Sequence, residues 1–133
     1  MTKNFKIKEF ITSETADKYH IDNMPRKYEI IDNIWTLCSE VLQPLRDAMG
    51  FPITITSGYR CPTLNMIVGG VEGSQHLNGT AADINCGLGN NKKIYDWLKK
   101  QKDNGKLPIY ELLWEGNGSW VHVSVNKNLI NNK

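Results

Sequence analysis

The sequence is short of cysteine, of long apolar runs and of charge of one sign, and each shortage removes a class of protein. Cys38, Cys61 and Cys86 are an odd number at no metal-finger spacing, which argues against a disulfide framework or a cysteine-ligated zinc site. Reduced thiols are expected, Cys38 on the apolar face of a helix and Cys61 ahead of a proline, both packed rather than reactive. No apolar run is long enough to span a bilayer, so no membrane insertion is expected. Met1 to Phe10 interleaves lysines with single apolar residues, unlike a secretory signal, so synthesis in the cytoplasm without a signal peptide is expected. A formal net charge of +2, with pI near 8.4 and scattered basic residues, gives no footprint for a nucleic-acid partner.

What remains is an ordinary globular composition. Of the 133 residues, 40% are hydrophobic and 23% charged, enough for one domain over 1–133 with a real core and too short for two. A monomer is expected.

Asn4 to Phe10 alternates as a strand would, with Phe5 and Ile7 opposite Lys6 and Lys8. Thr12 or Ser13 is placed to cap a short helix opening at Glu14. From Tyr28 to Met49 the apolar residues Ile30, Ile31, Ile34, Leu37, Cys38, Val41, Leu42, Leu45 and Met49 form one helical stripe, which Pro44 should kink or break. Gly50 ends it, Ile53 to Thr56 reads as a β-branched strand, and Pro62 opens a second short helix that Gly69 and Gly70 stop. After a Gly and Asn loop, Asn90 or Asn91 is placed to cap a helix carrying Ile94, Trp97 and Leu98 inward. The chain then closes with a hairpin, Ile109 to Glu115 and Trp120 to Val125, around the turn Gly116 to Ser119.

The chemistry concentrates in Ser74 to Asp83 and at His122. His76 and Asp83 are too far apart for one helix face but suit a chain that presents His76, turns at Gly79 and returns as a strand. In that strand Ala81, Asp83 and Asn85 share one face, and Ala82 and Ile84 go to the core. With His122 this makes two imidazoles and one carboxylate, three ligands for a borderline cation such as zinc with a position left open. If the hairpin turn is a four-residue loop, Glu115 stands opposite Trp120, and Leu113, Glu115, Trp120, His122 and Ser124 point one way. Glu115 then lies diagonal to His122, within reach of water at the metal without being a ligand, as a candidate general base. Arg60, at a strand end, can give two parallel hydrogen bonds to a carboxylate or oxyanion. Ser74 and Gln75 can add hydrogen bonds to substrate or cap local backbone, and Trp120 can line the cleft or pack in the core.

These residues also carry a resemblance. Ser57-Gly58-Tyr59-Arg60, Gly69-Gly70, the run of Ser74, His76, Gly79, Ala82 and Asp83, and Trp120-Val121-His122-Val123-Ser124 resemble the ordered signature of the M15 zinc peptidases, the D-alanyl-D-alanine carboxypeptidases and endolysin-like enzymes. Phe10, Ser13, Glu14, Ala16 and Asn23-Met24-Pro25 are similar to the opening of the compact branch found in bacteria and their phages. The resemblance implies an α+β fold, a small antiparallel sheet with helices packed on it, and one Zn2+ per chain on His76, Asp83 and His122. It also implies hydrolysis of amide bonds in the stem peptides of bacterial peptidoglycan, with Arg60 facing substrate oxygen or carboxylate. Such an enzyme would reach the wall after lysis or phage-assisted release. Many relatives place an acidic base three residues before the last histidine, where this chain has Ser119, which leaves Glu115 to take that role. The alternative is a non-catalytic zinc-containing module that binds wall peptide; a purely structural zinc would favour thiolates and a closed shell.

Overall fold

Strands β3 (Ile109–Glu115) and β4 (Trp120–Val125) form the hairpin that positions everything else. Glu115 pairs with Trp120, Trp114 with Val121 and Leu113 with His122, so the four-residue connection sets the expected register. Val121, Val123 and Val125 are buried on one face of β4, and fully burying such a side chain contributes ~1.5–3 kcal/mol. Strand β2 (Ala81–Ile84) pairs antiparallel with β4, and β1 (Ile55–Ser57) with β2, giving a four-stranded sheet of order β1-β2-β4-β3. The computed structural model describes residues 1–131.

Seven helices surround the sheet among the described residues: α1 (Ile7–Ile11), α2 (Glu14–Lys18), α3 (Tyr28–Leu37), α4 (Gln43–Met49), α5 (Pro62–Ile67), α6 (Leu88–Asp103) and α7 (Lys127–Asn131). The fold is thus α+β, with Leu37, Val41, Leu42 and Leu45 of the long helical segment packed into the same core as Ile84, Ile94, Leu98 and Val121. Pro44 breaks that segment as its missing N–H requires: Cys38–Leu42 widens into a π turn, with Gln43 N donating to Cys38 O, and α4 restarts with the proline in its first turn. Ser13 caps α2 by accepting from Ala16 N at 3.1 Å. Gly50, at φ +76°, closes α4.

Three local readings change. The N-terminal stretch is not a strand, because Phe5 and Phe10 both turn into the core and Glu9 closes a helical turn by accepting from Lys6 N at 2.7 Å. An alternation as short as Asn4 to Phe10 fits a helical turn as well as it fits a strand. Helix α6 starts at Leu88, before either asparagine expected to cap it. Gly87, at φ +91°, makes the corner, and Asn91 lies inside the helix, fully buried, accepting from Cys86 N at 2.8 Å and donating to Gly118 O at 2.8 Å. Strand β1 is shorter than the β-branched run, pairing with β2 only over Ile55–Ser57 and with an irregularity between those two residues.

All three cysteines are free. Burial pushes the Cys38 thiol far up, as expected of a packing residue, and Cys86 Sγ accepts from Thr54 N at 3.3 Å.

Gly79 requires its glycine. Its φ is +75°, and a Cβ there would meet Ile30 O at 2.8 Å. Gly79→Ala is expected to destabilise the fold by at least ~1–2 kcal/mol, the cost of the left-handed conformation for an L-residue. A denaturant titration of the variant checks this, and an unchanged midpoint would contradict it.

Candidate metal centre

His76 is presented by a short 3-10 turn, Gln75–Asn78. Ser74 starts the turn, its Oγ accepting from His76 N at 3.2 Å, and Gly79 ends it in the left-handed conformation. Asn33 of α3 holds the far end by donating to Asn78 O at 2.8 Å, and Arg60 N donates to His76 O at 3.1 Å. The turn is therefore fixed to both sides of the core before Ala81 enters β2.

Asp83 and His122 meet through register alone, as direct cross-strand partners in β2 and β4. His122 Nδ1 lies 3.0 Å from Asp83 Oδ1, and His76 Nε2 lies 3.4 Å from the same oxygen. The imidazoles are edge to face, with centroids 5.3 Å apart. One donor atom from each of the three residues falls within 4.8 Å of the others. His76 is buried and Asp83 and His122 are half-buried. Burial alone would raise the Asp83 carboxyl, but its contacts with His122 and His76 outweigh that and hold it at about 2. Asp83 is therefore anionic at neutral pH.

The outer nitrogen of each ring is also engaged. His76 Nδ1 lies 2.7 Å from Gly58 O. A Cβ on Gly58 would meet Phe10 Cα and O at 2.7 Å, so the residue is glycine because the N-terminal helix packs directly on the loop that orients His76. Asn23 ties the same two segments together, donating to Ile11 O at 2.9 Å and Tyr59 O at 3.0 Å and accepting from Cys61 N at 2.8 Å. His122 Nε2 lies 3.1 Å from Gln75 Oε1 and 3.4 Å from Glu111 Oε1.

Arg60 stands at the edge of the triad. Its Nη1 donates to Asn65 Oδ1 at 3.0 Å, while its Nε is buried with no hydrogen-bond partner among the described residues. Burial pushes the guanidinium down, and the charge of Asp83 opposes that. A Cβ on Gly70 would come within 2.6 Å of Arg60 Nη1, which accounts for the small residue there.

Among the other expected site residues, Glu115 is half-buried at the top of β3, on the face of His122. Trp120 is partly exposed and covers the turn, where its ring would meet a Cβ on Gly116 at 2.6 Å. Ser119 Oγ donates to Gly116 O at 2.7 Å. Gln75 is engaged with His122, and Ser74 with the backbone of the turn. Glu111, Gly58, Asn23 and Asn65 were not anticipated as parts of the site. Gly58 and Asn23 stand in the stretches that carry the family resemblance, without an assigned role, and period 2 puts Glu111 on the face of Leu113 and Glu115.

A family model described as Peptidase M15 matches residues 3–124. The chain belongs to the M15 peptidase family. A curated relative, the zinc D-Ala-D-Ala carboxypeptidase of Streptomyces albus G, is 49% identical over 47 residues, covering 35% of this chain and 18% of that protein. The chain thus spans under a fifth of that relative's length. The donor set of this M15 chain fits zinc: two imidazole nitrogens and one carboxylate oxygen converge, and both imidazoles have an acceptor behind them, as ligating histidines do.

Among the described residues no helix is long and apolar enough to cross a membrane.

Proposed function

We propose that this chain is a zinc metallopeptidase that hydrolyses amide bonds in the stem peptides of bacterial peptidoglycan, as a D,D-carboxypeptidase or an endolysin-like endopeptidase. The observation that carries the proposal is the convergence of His76 Nε2, Asp83 Oδ1 and His122 Nδ1, with the half-buried Arg60 nearby, whose Nε is buried without a partner among the described residues. Family membership and the relative's name support it.

His76, Asp83 and His122 would hold the ion. Bound zinc supplies Lewis-acid polarisation of the scissile carbonyl and makes water a nucleophile near neutral pH. Glu115, on the same sheet face, takes the proton of the attacking water and passes it to the leaving amine. Glu111 is less suited to that step, because it sits against Nε2 of His122, the nitrogen turned away from Asp83. Ser119 is committed to the turn through Gly116 O. Arg60 holds a substrate carboxylate or the developing oxyanion with charge-assisted hydrogen bonds. Trp120 and Leu113, both partly exposed, offer apolar surface at the rim. The enzyme would meet its substrate after lysis or phage-assisted release.

The test is digestion of purified peptidoglycan by the zinc-loaded protein, with products identified by mass. Loss of one terminal alanine marks a carboxypeptidase, and separation of cross-linked peptides an endopeptidase. Ser119 at the usual acid position favours one other reading, a zinc-containing module that binds wall peptide without cutting it. Intact peptidoglycan that still sediments the protein in a zinc-dependent way would establish that reading instead.

A further inference from the structure

We propose that Gln75 and Glu111 act together as the positioning residues of His122, accepting the proton on its Nε2 so that Nδ1 presents its lone pair to the metal. The proposal rests on the reading of His76, Asp83 and His122 as metal ligands, and not on what the enzyme cuts.

A neutral imidazole carries one proton on its two nitrogens, and a metal can take only the bare one. In His122 the nitrogen facing Asp83 is Nδ1, at 3.0 Å. Ligation there requires the proton on Nε2, where it meets two oxygens, Gln75 Oε1 at 3.1 Å and Glu111 Oε1 at 3.4 Å. An amide oxygen and an ionised carboxylate oxygen only accept. The opposite tautomer would set the lone pair of Nε2 against both. His76 solves the same problem with its nitrogens exchanged, its Nδ1 backed by Gly58 O. The two imidazoles therefore converge through different nitrogens, and each needs an acceptor on its own far side.

The acceptors of His122 are themselves held. Thr80 donates to Gln75 O through both its N, at 3.3 Å, and its Oγ1, at 3.2 Å, so the residue ahead of His76 is anchored independently of the metal. Glu111 sits where β3 carries its irregularity between Ile109 and Leu112, and its N donates to Ser124 Oγ at 3.1 Å. The two side chains come from 47 and 11 residues away along the chain and meet at one nitrogen. Gln75 thus has a job toward His122 rather than toward substrate or local backbone, and Glu111 has a role distinct from that of Glu115.

The experiment measures zinc affinity by chelator competition in folded protein, with cobalt substitution to read ligand geometry. Gln75→Ala and Glu111→Ala are each expected to weaken zinc binding by ~10–100-fold, and the double variant by more. Glu111→Gln keeps an accepting oxygen and is expected to restore most of the Glu111→Ala loss. The visible bands of the cobalt form should shift in the alanine variants and return in Glu111→Gln. Nitrogen NMR of the zinc-loaded wild type should show the His122 proton on Nε2, a readout that stands even if a variant fails to fold. A proton on Nδ1, or alanine variants that fold and bind zinc with wild-type affinity, overturns the proposal. Wild type that binds zinc as described but cleaves nothing would sink the peptidase reading and leave this one intact.

Discussion

Glu115→Gln is expected to lower turnover by ~10²–10⁴-fold while zinc content stays at the wild-type level. The amide keeps the size and hydrogen-bonding reach of glutamate but cannot take a proton from water. Glu115 pairs with Trp120 beyond His122 on the metal face, and no ligand contact is lost with its charge. Substrate affinity should survive the change. Arg60→Ala should separate cleanly from it, because an anchor for carboxylate or oxyanion appears in kcat/KM through substrate affinity, transition-state stabilisation or both. Turnover assays and metal analysis on the same preparations check both variants. If Glu115→Gln matches wild type, the base lies elsewhere in the cleft or is dispensed with.

His122→Ala is expected to strip zinc altogether and abolish hydrolysis with it. The other two ligands then form an incomplete set, and Asp83, held at about 2 largely by its contacts with His122 and His76, loses the nearer of them. His76→Ala and Asp83→Ala should have the same effect. In wild type, affinity should fall in acid, as protons compete with the metal for imidazole nitrogen while Asp83 remains ionised. Elemental analysis after gel filtration measures each, and full metal in His122→Ala would show that the ligand assignment is wrong.

The site was legible in the sequence wherever register decided it. Alternation in Trp120 to Val125 separates His122 from the buried valines, the Gly116 to Ser119 turn fixes which residues oppose one another, and Asp83 follows from the same period in β2. Glu111 is diagonal to His122 just as Glu115 is, so alternation alone does not say which of the two carboxylates meets Nε2 of His122. The carbonyl of Gly58 was invisible because it is a main-chain group brought in by a loop. Asn91 looks like a cap residue in sequence, yet it and Asn23 each join segments far apart along the chain, a tertiary role that no local pattern encodes. The N-terminal stretch coils rather than extends because Phe5 and Phe10, five residues apart, both turn into the core and pack near each other.

Metal held by His76, Asp83 and His122 is expected to make this M15 family member hydrolytic. The most direct measurement strips the wild-type protein with a chelator and returns zinc in steps while the release of alanine or peptide from peptidoglycan is followed. Activity should be absent at the start, rise in proportion to the metal added and level off at one zinc per chain. Release by the stripped protein, or no release once one zinc per chain is bound, would contradict the account.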